Sequence, residues 1–268
     1  MYKLIAIDMD GTLLDPNGEI TTENKHAIEQ AQSQGVHVVL ASGRPIDGMQ
    51  AALNTLALNT DQNYVISYNG ALVQNVATKK VIHQSLLTHE QVLALASRAR
   101  ELELDFHAFS SELGLITPKM NPWTQHECDI NNISVEVMDL HKLDHSHLYL
   151  KAMIVGEEAA LDAAIEVLDN EVGTELNMVR TASFFLEFMP LNISKWTGIE
   201  ALLGHLDIQP GAVMALGDQG NDHEMIKNAG LGVAMKNATL ATQKIADVIT
   251  ESNANSGVGR AIEKYVLN

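Results

Sequence analysis

Two short apolar runs near opposite ends of the chain each stop at carboxylates. Leu4-Ile5-Ala6-Ile7 runs into Asp8-Met9-Asp10-Gly11-Thr12, and Val213-Met214-Ala215-Leu216 runs into Gly217-Asp218-Gln219-Gly220-Asn221-Asp222. A continuously apolar run suits a strand covered on both faces, as in a parallel sheet. Acidic residues just past such a strand lie at the carboxyl edge of the sheet, where open α/β folds place their ligands. If both runs belong to one sheet, that sheet is built from both ends of the chain and everything between is crossover or insertion.

The flanking sequence supports this. Thr22–Gln34 has helical spacing, with Ala27, Ile28 and Ala31 on one face and Gly35 just beyond the end. Val36–Ala41 and Val65–Tyr68 are further strand-like runs, the second stopped by the turn pair Asn69-Gly70. After Pro210 the alternation resumes: strand Ala212–Gly217, helix Asp222–Asn228, strand Gly232–Met235, helix Leu240–Ala246, strand Val248–Ile249 and helix Gly257–Val266. Strands separated by such helices form right-handed βαβ units. The middle is patterned differently. Thr88-x-x-Gln91 is a capping box opening a helix to about Leu104, and a second helix runs from Glu157 to about Asn170. Around them lie strand-like runs near Phe106, Ile133–Val137, Tyr149–Val155, Met178–Thr181 and Phe184–Met189. The expected class is α/β: a Rossmann-like parallel-sheet core domain formed by residues 1–83 and 191–268, with an inserted α+β domain over 84–190.

A chain of 268 residues is long enough for two such domains. Its formal charge of −17 repels nucleic acid and anionic membrane. Cys128 is the single cysteine, so an intramolecular disulfide and a multi-cysteine metal site are excluded. The apolar stretch before Asp8 is shorter than a secretory core, and no run approaches the ~18 residues of a membrane span. The expectation is a cytoplasmic protein with no nucleic-acid or membrane partner; oligomeric state is not legible.

Four places carry candidate chemistry. Asp8 and Asp10 stand two apart at a strand end, with Gly11 to turn the backbone; a plain polar turn is the alternative. Asp218 stands before its helix begins, whereas Asp222 at the helix start is equally explained by capping. Carboxylates converging from two neighbouring strand ends make a hard-oxygen site suited to Mg²⁺. Ser42-Gly43-Arg44 offers a hydroxyl and backbone N–H groups to an anion. Lys195 follows the N-cap Ser194, where the helix dipole disfavours a cation by ~0.3–1 kcal/mol. A bound phosphate would offset that cost; a solvated surface lysine is the bland reading. His141, His145 and His147, with His126 near Cys128, read as solvated loop residues in preference to metal ligands. Trp123 and its neighbouring prolines read as a loop of the insert that touches substrate.

Together these motifs resemble the haloacid dehalogenase superfamily. Asp8-x-Asp10-Gly11-Thr12 matches its first motif, Ser42-Gly43-Arg44 its second, Lys195 its third and Gly217-Asp218-x-x-Asn221-Asp222 its fourth. Length, the position of the insert and Tyr68-Asn69-Gly70-Ala71 are similar to the Cof-type subgroup, nearest its YidA-like sugar phosphatases, over the whole chain. The chain departs from the subgroup at Trp196, where glycine usually follows the lysine. The resemblance implies a phosphatase with Asp8 as nucleophile and Asp10 as general acid and base. It implies Mg²⁺ held by the Asp8 and Asp218 carboxylates and the Asp10 backbone carbonyl. Ser42, Gly43, Lys195 and Asn221 would bind the phosphoryl group, supported by Asp222, Thr12 and Arg44. It also makes the insert a cap and the substrate a small phosphorylated metabolite, a sugar phosphate in kind. A phosphotransferase or phosphomutase of the same fold, and a receiver-like module phosphorylated on Asp8, are the alternatives.

Overall fold

The computed structural model describes residues 1–172 and 175–268. The chain divides into two compact units, Met1–His83 with Ser194–Asn268, and Gln84–Ile193. Residues 191–193 therefore fall with the insert, three positions beyond the boundary expected from sequence.

The first unit holds an eight-stranded sheet. Its order is Val248–Ile249, Leu231–Ala234, Val213–Gly217, Leu4–Ile7, His37–Ala41, Tyr64–Ser67, Leu72–Asn75, Val81–Gln84. The strands are parallel from the first of these through Tyr64–Ser67, after which Leu72–Asn75 turns back antiparallel. The central strand explains the apolar run that begins the chain. Ile5 and Ile7 pack with Ala27 and Ile28 of helix Thr22–Ser33 and with Ile262 of helix Gly257–Tyr265. Leu4 and Ala6 pack on the opposite face with Ile199 and Leu202 of helix Lys195–Leu206. In register, Ile7 pairs with both Leu40 and Leu216. This alignment sends Asp8, Ser42 and Asp218 out of the same sheet edge.

The second unit has a seven-stranded sheet whose main order is Leu176–Ala182, Phe185–Pro190, Leu148–Val155, Asp105–Ser110, Gly114–Thr117, Val135–Val137. It is antiparallel except for the last pair, and Leu87–Thr88 adds to Leu148–Val155. Helices His89–Glu101 and Glu158–Val172 supply Val92, Leu95, Leu161 and Leu168 to a core with Ala152, Ile154 and Phe188. Among the alternate residues of the same strands lies a buried ion pair. Lys151, buried, donates to Glu187 at 2.9 Å and lies 5.0 Å from the Phe109 ring centroid.

The region assigned to a loop contains a helix, Pro122–Asn131. Asn121 caps it, accepting from the Thr124 N–H at 2.8 Å, and Pro122 occupies the first turn, where its missing N–H has no cost. Trp123 stacks on Phe184, and His126 meets the same ring edge-on. His141 and His145 are exposed, while His147 shares a 2.8 Å hydrogen bond with Ser110. Among the described residues, no helix is long and apolar enough to cross a membrane.

Candidate active site

Asp8 leaves the central strand with its N–H donated to the Leu216 carbonyl at 3.0 Å. The chain then makes the Met9–Leu13 turn, in which Gly11 has φ +82°. A Cβ on Gly11 would also lie 2.4 Å from Asp218 Oδ2, so glycine is required by both conformation and space. Thr12 Oγ1 donates to Asp218 Oδ1 at 2.9 Å, linking the two acidic strand ends.

Asp8, Asp218 and Asp222 are buried, each with a carboxylate oxygen within 4.8 Å of the others. Lys195 Nζ, fully buried, donates to Asp8 and to Asp222 Oδ1, the latter at 2.7 Å. These two carboxylates offset the unfavourable placement of a lysine in a first helical turn, the role assigned above to phosphate. Burial alone would lower the Lys195 pKa; Asp222 and then Asp8 outweigh it and raise it. Burial, then Asp222, pushes the Asp8 carboxyl well above the usual range against the opposing pull of Lys195. Burial likewise raises Asp218, while the Thr12 hydrogen bond acts the other way.

Asp222 is fully engaged. Its Oδ2 accepts from the N–H groups of Asp218 and Gln219 at 2.9 and 3.0 Å, and Oδ1 from Lys195. Gly217 leaves the space for this, since a Cβ there would lie 2.4 Å from Asp222 Cβ. Asp222 thus orients the lysine and shapes the loop, while Asp8 and Asp218 keep oxygens available. Three carboxylates around one ammonium leave an excess of negative charge on hard oxygen donors. That donor set fits a divalent cation such as Mg²⁺. Asp10 contributes no side chain to the cluster. Its carboxylate turns to Arg44, with contacts of 2.8 and 2.6 Å.

The second motif needs one correction. Ser42 does not offer its backbone N–H to an anion, because that group donates to the Ile66 carbonyl at 2.9 Å. Its Oγ accepts from the Arg44 N–H at 3.2 Å, leaving the hydroxyl proton and the Gly43 N–H as donors. Asn221 Nδ2 donates to Asn69 Oδ1 at 3.0 Å. Asn69 was not among the expected site residues. It belongs to a turn in which Tyr68, Asn69 and Gly70 have φ of 50°, 53° and 101°. Left-handed backbone costs roughly 1–2 kcal/mol for a residue with a side chain. The Asn-Gly pair after a strand was the available signal for this turn; its partners were not visible.

The sequence pattern of haloacid dehalogenase-like hydrolases matches residues 5–262. The chain belongs to this family. The Bacillus subtilis protein named "Putative phosphatase YxeH" is 38% identical, covering 100% of this chain and 99% of that one. The 5-amino-6-(5-phospho-D-ribitylamino)uracil phosphatase YcsE of the same organism is 29% identical over 99% of this chain and 96% of its own. A haloacid dehalogenase-like hydrolase from Bacteroides thetaiotaomicron has the same fold with TM-score 0.90 and 33% identity, covering 98% of this chain and 99% of that one.

Within this haloacid dehalogenase-like hydrolase the departure at Trp196 has a local explanation. Trp196 is buried with Ile199, Leu202 and Leu203, so its bulk goes into the core. The close approach is made two residues later. A Cβ on Gly198 would lie 2.8 Å from Ile66 Cγ2 and 3.0 Å from Gly70 Cα.

Proposed function

We propose that the protein is a Mg²⁺-dependent phosphatase that hydrolyses phosphate monoesters of small cytoplasmic metabolites through an aspartyl-phosphate. The observation that carries this reading is Asp8: a buried strand-end carboxylate grouped with Asp218 and hydrogen-bonded by the Lys195 ammonium. Asp8 Oδ attacks phosphorus in line, the P–O bond to the alcohol breaks, and the alcohol takes its proton from Asp10. Asp10 then accepts a proton from the water that attacks the aspartyl-phosphate, returning Asp8 and releasing phosphate. Ser42, Gly43, Lys195 and Asn221 hold the phosphoryl oxygens, and Asp222 keeps Lys195 in place. Mg²⁺, when held by Asp8 and Asp218 with the Asp10 carbonyl, would offset repulsion between the carboxylates and a dianionic substrate. In a chain of charge −17, Lys195 and Arg44 bring cations to the site, but Asp8, Asp222 and Asp10 already match them, so the charge of Mg²⁺ is what such a substrate would need.

Sugar phosphates are the substrate class we favour. The family resemblance points there, and YcsE is named for a substrate whose phosphate sits on a ribityl chain. The inserted unit is proposed as the cap that selects among them. Purified protein with an aryl phosphate and Mg²⁺ should release inorganic phosphate, and a panel of phosphorylated metabolites should rank sugar phosphates first. Stable phosphate on Asp8 without release would favour a phospho-acceptor module, and transfer to a sugar in place of water a phosphotransferase.

A further inference from the structure

The Tyr68-Asn69-Gly70 turn has no role in the chemistry proposed above, yet it touches each loop assigned to the phosphoryl group. The Asn69 N–H donates to the Ser42 carbonyl at 2.9 Å, and the Tyr68 N–H to the Arg44 carbonyl at 3.2 Å. Gly70 packs against the start of the Lys195 helix so closely that a Cβ there would lie 2.0 Å from the Ser194 carbonyl oxygen. Asn69 Oδ1 accepts from Asn221 Nδ2 at 3.0 Å. On its other side, Asn69 Nδ2 is 3.0 Å from where a Cβ on Gly43 would stand. Side chains persist in left-handed backbone where surrounding structure imposes it, and such strain gathers at functional sites.

The amide chemistry gives the arrangement a purpose. A primary amide presents donors on one side and an acceptor on the other, and rotation by half a turn exchanges them. Asn221 is useful to a phosphate only with its NH₂ toward the oxygens. With Asn69 Oδ1 facing it, the Asn221 amide presents its NH₂: one Nδ2 hydrogen goes to Asn69 and the second remains for the substrate. We infer that Asn69 is a positioning residue for phosphoryl binding, acting by orienting the Asn221 amide. The inference rests on the phosphatase reading. Asparagine suits both demands, because it tolerates left-handed backbone and carries a neutral amide. Glycine would keep the turn and lose the orientation. Aspartate would keep the acceptor but place an anion beside Gly43.

The test uses the full chain with Mg²⁺, an aryl phosphate as substrate and inorganic phosphate as competitive inhibitor. For Asn69→Gly, the inhibition constant of inorganic phosphate and KM should both rise roughly tenfold, as for loss of a hydrogen bond to a charged group. The thermal midpoint should stay level or rise, since glycine relieves the backbone. Asn69→Asp should raise the inhibition constant further. Asn221→Ala should match Asn69→Gly, and the double variant should be no worse than Asn221→Ala alone, because the two residues act as a unit. An unmoved inhibition constant in both Asn69 variants would overturn the assignment, as would losses that multiply in the double variant. Wild-type protein that releases no phosphate would instead sink the phosphatase reading.

Discussion

Arg44 holds both carboxylate oxygens of Asp10, Nε to Oδ2 at 2.8 Å and Nη2 to Oδ1 at 2.6 Å. A third bond, from Nη1 to the Gly48 carbonyl at 3.3 Å, fixes the guanidinium itself. A planar fork on a carboxylate restricts orientation as well as position. It matters here because the Asp10 side chain is 55% exposed. The residue proposed to move protons is thus held by one side chain from the second motif.

Asp10→Asn should lower turnover of an alkyl phosphate by about 10²–10⁴-fold, the usual worth of general acid–base catalysis. With nitrophenyl phosphate the loss should be smaller, because nitrophenolate needs little protonation. Arg44→Ala should show the same dependence on leaving group at reduced size. Equal losses on both substrates would show that Asp10 is not the acid.

Asp8→Asn should abolish turnover, since a neutral amide cannot form the acyl-phosphate. In Asp10→Asn the attacking water has lost its base, so aspartyl-phosphate should accumulate. Borohydride reduction followed by peptide mass should locate it on Asp8. A phosphate on serine or histidine, or an active Asp8→Asn enzyme, contradicts the mechanism.

Chelation should abolish activity, and Mg²⁺ should raise the thermal midpoint of the wild type. A ligand at a hundred times its Kd stabilises by about 2.7 kcal/mol. Asp218→Asn should remove the Mg²⁺-dependent rise while increasing the midpoint in chelator, because one of three buried carboxylates facing a single ammonium is neutralised. Calorimetry with and without chelator reads both effects. Full activity after exhaustive chelation rules out the metal.

The features legible in the sequence are those whose cause is local. Leu4–Ile7 is apolar throughout because both faces of that strand are covered. The Thr88–Gln91 box forms as written, with the Gln91 N–H on Thr88 Oγ1 and the Thr88 N–H on Gln91 Oε1. Lys195 begins its helix. The features that were not legible depend on distant partners. Arg44 reaches Asp10 across 34 positions, and Asn221 reaches Asn69 across 152. Helix Pro122–Asn131 was missed because Asn121 and Pro122 are loop residues by type and helix starters by position. Nothing local in the sequence marks Lys151 and Glu187 as buried. They are buried because the strand pairing brings them together under that helix, where Glu127 also lies 3.9 Å from Lys151.

Of the buried histidines His89 and His107 in the insert, His107 sets the stronger acid limit to stability. His107 is fully buried, its Nδ1 2.9 Å from Thr124 Oγ1 on helix Pro122–Asn131. Burial, with the nearby Lys151 charge adding to it, lowers its pKa from 6.5 to about 3. In the unfolded chain the imidazole takes its proton near 6.5, whereas the folded protein refuses it until about 3. Between those values the unfolded state binds more protons, so stability falls as pH falls, by about 1.4 kcal/mol per unit from this residue. Above 6.5 the contribution is constant. His107→Gln, neutral throughout, should therefore lose about 2 kcal/mol less than wild type between pH 6.5 and 5, whatever its cost at neutral pH. The chain's two tryptophans separate the units: Trp123 lies on the insert helix and Trp196 in the core domain. Denaturation followed by Trp123 fluorescence in a Trp196→Phe background should show the flattened acid slope. If the slopes of wild type and His107→Gln coincide there, the neutral buried imidazole is not what limits the insert at low pH.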